Sequence, residues 1–141
     1  MTMQIRAFDP ADEDAVVSLW QRCGLTRAWN DPRKDIARKR KVGADLFLVG
    51  VIDARIVASA MGGYEGHRGW VNYLAVDPDF QRRGFGSRMM AAIEVALRSR
   101  GCPKINLQIR GSNRAAAGFY RALGYSLDDV ISMGKRLERD D

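Results

Sequence analysis

Sulfur pairs, histidine and long apolar runs are all scarce in this chain. Its two cysteines, Cys23 and Cys102, and its single histidine in 141 residues are too few for a disulfide framework and sit at no metal-ligand spacing. No metal is expected. The longest apolar runs are a few residues, far short of the roughly 20 that cross a bilayer, so no membrane partner is expected either. The opening Met-Thr-Met-Gln-Ile-Arg has no apolar signal core, which points to a cytoplasmic, reducing setting. Repeats, linkers and low-complexity segments are absent, and the length fits a single domain over 1–141 with a real core. The 23 basic against 17 acidic residues leave a formal charge of +6. The basic residues do not interleave with aromatics along one element, so nucleic acid ranks last among the partners such a charge suggests. Their densest run, Arg33 to Lys41, reads as the solvated face of a helix.

What is present centres on one stretch, Asn72-Tyr-Leu-Ala-Val-Asp-Pro-Asp-Phe-Gln-Arg-Arg-Gly-Phe-Gly-Ser-Arg88. Val71 to Val76 has strand character and stops at Asp77-Pro78. A basic, glycine-bearing loop follows, and a helical pattern opens at about Gly84. The first N–H groups of a helix lack intrahelical partners and point out along its axis, a ready anion site. Gly84 and Gly86 lack Cβ, which would let a phosphate approach the backbone. Hydrogen bonds to a charged group contribute about 1.5–3 kcal/mol each, against about 0.3–1 for the helix dipole. The N–H groups should therefore dominate. The loop is neither a P-loop, since no Lys-Ser/Thr follows the glycines, nor a dinucleotide loop, since the third glycine is missing.

The rest of the chain reads as alternating elements. Met3 to Phe8 is a first strand. Asp9-Pro10 opens a helix with Val16, Leu19, Trp20 and Cys23 on its buried stripe, and Gly24 ends it. After a loop over Leu25 to Asn30, Asn30-Asp31-Pro32 starts a second helix. Asp45 to Ile52 and Ile56 to Met61 make an antiparallel hairpin, and Gly62 to Gly69 is glycine-rich enough to bulge or turn. Trp70 to Val76 is the next strand. The main helix carries Phe85, Met89, Ile93, Ala96 and Leu97 inward and stops at Gly101. Lys104 to Ile109 is a fifth strand. Ser112 or Asn113 caps a last helix with Ala116, Phe119, Tyr120 and Leu123 inward, and Tyr125 to Leu137 supplies one or two closing strands. This order predicts an α+β (α/β layered) domain with a mixed sheet covered by helices.

The pattern Gln81-Arg-Arg-Gly84-Phe-Gly86 after such a strand, with Asn113-Arg-Ala-Ala-Ala-Gly-Phe-Tyr-Arg-Ala-Leu-Gly-Tyr125 downstream, resembles the GNAT superfamily of N-acetyltransferases. The resemblance covers nearly the whole chain. Trp29-Asn-Asp-Pro32, Met61-Gly-Gly-Tyr-Glu-Gly-His-Arg68 and Arg100-Gly-Cys-Pro-Lys-Ile105 are also similar to small bacterial members. It implies a mostly antiparallel sheet of six to seven strands, flanked by about four helices and splayed between the fourth and fifth strands, with the pantetheine arm of acetyl-CoA in the wedge.

The resemblance also assigns residues. Backbone groups of Leu74, Ala75 and Val76 would pair with the pantetheine like an added strand. The N–H groups of Arg83, Gly84, Phe85, Gly86 and Ser87, with Gln81 and Arg82 at the rim, would hold the pyrophosphate; the basic rim would speed its encounter. Asn113 and Phe119 would meet the cofactor from the last helix. Tyr120 would protonate the departing thiolate, a modest task for a thiol of pKa ~8.5. Trp29 and Asn30 would shape the acceptor pocket. Many members place a carboxylate on the fourth strand as base, but Val71 to Val76 contains none. Glu65 and His67, in the preceding glycine turn, are the nearest substitutes as base, His67 also as a substrate-binding residue, with a water relay left open. The implied function is acetyl transfer to a primary amine, on a small molecule or a protein N-terminus or lysine, by a chain that is a possible homodimer. The rivals are a non-catalytic CoA-sensing or partner-docking module and a basic nucleic-acid-associated domain.

Overall fold

In the computed structural model, which describes residues 2–141, one sheet separates two helical layers. Strands β1 (Gln4–Ala7), β2 (Phe47–Ile52), β3 (Arg55–Tyr64), β4 (Gly69–Val76) and β5 (Ile105–Asn106) lie in that order. The first three pairings are antiparallel and β4–β5 is parallel. Helices α1 (Glu13–Arg22) and α2 (Pro32–Val42) cover one face, through Val16, Leu19, Trp20 and Ile36. Helix α3 (Phe85–Arg98) covers the other with Phe85, Met89, Met90, Ile93 and Leu97, and α4 (Arg114–Ala122) adds Phe119 and Tyr120 beside it. The helical stripes thus fall where their 3.6-residue spacing puts them.

Local chemistry sets the element ends. Asp31 accepts from the N–H groups of Arg33 and Lys34 to cap α2, with Pro32 at its first position. Ile36 is the buried residue of α2, so most of its basic residues face outward. Asp53 and Ala54, both with positive φ, make the two-residue turn that matches the twist of a hairpin. Gly62 and Gly63 do not break β3, contrary to the expectation that this segment turns. A Cβ at Gly62 would stand 2.9 Å from Ile93, so the glycine is there to let α3 approach the sheet. The turn comes later, over 65–68.

Strand β4 carries one residue too many. Ser59 faces Ala75 and Met61 faces Asn72, so Ala60 opposes two residues, and Tyr73 adopts φ 53°. This bulge is pinned on three sides. The Ser59 hydroxyl donates to the Tyr73 carbonyl at 2.8 Å and accepts from Trp20 Nε1 at 2.9 Å. The Tyr73 ring stacks on Trp20 at 3.8 Å between centroids.

Two expectations need correction. The sheet has five strands among the described residues rather than six to seven, and Tyr125 to Leu137 forms none. A strand needs a backbone edge to pair with, and β5, two residues long, offers little. The segment is tethered instead by side chains: Asp128 accepts from Lys104 at 2.9 Å and Asn106 at 2.7 Å. Farther on, Asp140 takes Arg38 at 2.6 Å and Arg136 at 2.8 Å.

Candidate active site

The site opens where β4 and β5 part. β5 touches β4 only at Gly69 and Trp70, leaving the outer edge of Val71–Val76 without a neighbouring strand. A cleft of about 520 Å³ fills the gap, between the bulge of β4, Leu107–Arg110, the start of α4 and the loop after α1. Leu74 lines it, Ala75 is buried, and the Val76 carbonyl accepts from Gln81 Nε2 at 3.1 Å and Cys23 Sγ at 3.3 Å.

Beyond Val76 the loop into α3 is anchored by Asp77. Its buried carboxylate meets Arg22 at 2.8 Å and Arg55 at 3.0 Å and accepts from Asp79 N–H at 2.9 Å. Burial alone would raise its pKa, but the Asp79 N–H and the arginines outweigh that and hold it below the usual carboxylate range. The loop then takes left-handed conformations at Arg82 (φ 63°) and at Gly84 (φ 78°), the N-cap of α3. Gly84 brings no side chain to cap this helix, so its first-turn N–H groups are offered to an anion. Arg83 lies over the Phe80 ring at 5.5 Å. Phe85 is buried in the core under the loop, and Ser87 follows in the first turn. Gly86 has a different use from that expected of it: a Cβ there would stand 3.2 Å from the Phe119 ring. Its bareness admits α4.

Helix α4 brings Asn113 and Tyr120 to the cleft. Asn113 caps the helix, its Oδ1 accepting from Ala116 N–H at 3.0 Å, which leaves its amide donors for the cleft. Tyr120 packs edge-on against Phe119 at 5.0 Å and Tyr125 at 5.7 Å. Burial pushes its phenol up to about 12, so the proton is retained at neutral pH.

Residues 13–125, most of the chain, match the model of the acetyltransferase (GNAT) family. The chain belongs to that family. It is 49% identical over 138 residues to an acetyltransferase of Pectobacterium atrosepticum, covering 98% of each chain. Among solved structures it resembles Ard1 of Thermoplasma volcanium, with a TM-score of 0.82 at 25% identity over 91% of this chain and 85% of that one. The PaiA N-acetyltransferase of Thermoplasma acidophilum in complex with coenzyme A shares the fold, with a TM-score of 0.74 at 14% identity over 93% and 94% of the two chains.

Within this GNAT domain the remaining candidates scatter. Glu65 accepts from the N–H groups of His67 (2.6 Å) and Arg68, and these bonds hold its carboxyl below the usual range. It closes its own turn, and neither it nor His67 lines the cleft. Asn30 does line it, with Oδ1 accepting from Arg136 at 2.6 Å. Trp29 is 52% exposed, beneath the Arg110 guanidinium at 5.6 Å. Residues that sequence reasoning passed over are also there: Asp35, Tyr73 and Arg110 all line the cleft. Asp35 and Tyr73 are 38 positions apart, joined by a 2.6 Å hydrogen bond, and no local pattern announces such a pair.

Proposed function

We propose that this N-acetyltransferase is acetyl-CoA-dependent and moves the acetyl group directly to a primary amine in the cleft, with no covalent enzyme intermediate. One observation carries the reading: the open edge of β4 runs into the uncapped, left-handed start of α3, so a strand-like arm and an anionic group would find their partners in one continuous track. The residues fit the group. The N–H groups of residues 83–87, with Gln81 and Arg82, suit a pyrophosphate, and the edge at Leu74–Val76, Asn113 and Phe119 suit the arm. When bound, acetyl-CoA supplies an activated thioester. Tyr120 holds a proton at its hydroxyl and can give it to a departing thiolate.

The amine sets the harder condition. Deprotonating a lysine of pKa ~10.4 at pH 7 costs about 4–5 kcal/mol, against about 1 for an α-amine of ~7.7–8.0. β4 offers no carboxylate, and Glu65 is spent on its turn. This favours a low-pKa amine or a water relay.

The test is turnover of acetyl-CoA with a panel of amines, read as released thiol. Tyr120→Phe should lower kcat roughly tenfold, less than the ~10²–10⁴ typical of general acid–base groups because a thiol of pKa ~8.5 is already a fair leaving group, with CoA affinity nearly intact; unchanged turnover removes its proton role. Gly84→Val should abolish CoA binding by calorimetry while circular dichroism stays native. Retained binding would mean that the α3 start is no cradle.

A further inference from the structure

Among the cleft-lining residues Asp35 is the single carboxylate, and Arg27 and Arg110 are the two fixed cations. Their settings differ. Asp35 is sheltered, its side chain 23% exposed, and both oxygens are engaged: Arg38 donates at 3.0 Å and the Tyr73 hydroxyl at 2.6 Å. The bulge is what aims Tyr73 at α2. A carboxylate has about four acceptor positions, so room remains for an ammonium. Arg110 rests on the Trp29 ring at 5.6 Å, and Arg27 spends Nη1 on the carbonyls of Gly24 (2.7 Å) and Thr26 (2.9 Å). Neither has a carboxylate partner among the described residues, whereas Arg22, Arg38, Arg55 and Arg136 all do.

We propose that the acceptor is an α-amino group with an anionic group a few bonds away, its ammonium received by Asp35 and its anion by Arg110 on the Trp29 platform. The assignment rests on the acetyl-transfer reading above and names the acceptor class for it. Both oxygens of Asp35 are already engaged by donors, and its place is that of a recognition group for the ammonium. With no carboxylate assigned to take its proton, the amine must lose that proton readily, which an α-amine does and a lysine side chain does not. Arg110 is suited to the second group, because a planar guanidinium held by an aromatic face is preorganised for two-point binding of a carboxylate. Acidic peptide N-termini and free acidic amino acids both present this chemistry.

The experiment is calorimetric titration of the full chain, with and without CoA. The ligands are Glu-Ala-Ala amide, Ala-Ala-Ala amide, free glutamate and N-acetylated Ala-Lys-Ala amide. The Glu peptide should bind at least tenfold tighter than the Ala peptide, and the blocked lysine peptide most weakly. Asp35→Asn, which keeps an oxygen for Tyr73, should weaken both free-amine peptides about tenfold. Arg110→Gln should bring the Glu-to-Ala affinity ratio toward one while CoA affinity holds. Glutamate binding as tightly as the Glu peptide identifies a free amino acid as the source; weaker binding identifies a peptide N-terminus. Asp35→Asn binding like the unsubstituted chain, a preference for the lysine peptide, or a loss of CoA affinity in Arg110→Gln would each overturn the assignment. Peptide binding as expected without turnover of acetyl-CoA would sink the reaction and leave the acceptor site standing.

Discussion

The two sides of the cleft are built by different physics. From β1 to α3 the chain is held by burial: Val16, Leu19, Trp20, Phe47, Val57, Met89 and Ile93 have no exposed surface. From β5 onward α4 has no fully buried residue, and Leu127, Ile131, Met133 and Leu137 are 85–93% exposed. Phe119, Tyr120, Leu123 and Tyr125 pack on the core only in part, and the chain after Tyr125 is attached by discrete charged contacts at Asp128 and Asp140. The difference teaches where give is available. The β4 wall, with its pinned bulge, keeps its backbone groups in register, while the facing wall of Leu107–Arg110 has no strand ladder to break if it shifts to admit a long ligand.

Perturbing each side in turn can break that contrast. Trp20→Ala should have the largest effect, about 3–5 kcal/mol for loss of a fully buried aromatic, measured by urea unfolding. A loss under 1 kcal/mol would deny the packed side its role. Next comes acid. Arg38, together with the Asp31 N–H, holds the Asp140 carboxyl well below its usual range. A depressed folded pKa gives stability that is complete above the unfolded value of ~3.9 and lost as pH falls through the folded one. Limited proteolysis should therefore find the tail clamped at pH 5 and released only in stronger acid, and Asp140→Asn should leave it cleavable at pH 7. A tail equally protected in the variant would mean that something else holds it. The smallest effect belongs to Ile131→Ser, within about 0.5 kcal/mol as for exposed positions generally. A penalty approaching that of Trp20→Ala would show this segment to be packed and erase the contrast.

The same contrast governs how much was legible beforehand. The main helix over 85–98, the hairpin, and the loop ending at Gly84 are written in local spacing and turn chemistry; the first helix, expected to open at Asp9-Pro10, starts there as a 3-10 turn over Pro10–Asp12 and becomes α-helical from Glu13. Closing strands over 125–137 were not legible in this way, because pairing depends on an edge that another segment must supply. The site divides likewise. Tyr120, Asn113 and Leu74 all line the cleft. Glu65 looked available because sequence does not reveal that its own turn consumes it. Asp35 looked like one more charge on a basic helix until a distant tyrosine reached it.

Tyr73 has one more consequence. Side chains alternate faces along a strand, yet Val71 joins the layer under α3 while Ala75 joins the layer under α1, and Leu74 and Val76 return to the α3 side. The inserted residue resets the phase mid-strand. Deleting one position there would restore regular alternation and keep Val71 and Val76 on the same face, so the extra residue serves the aim of Tyr73 toward the cleft rather than the core.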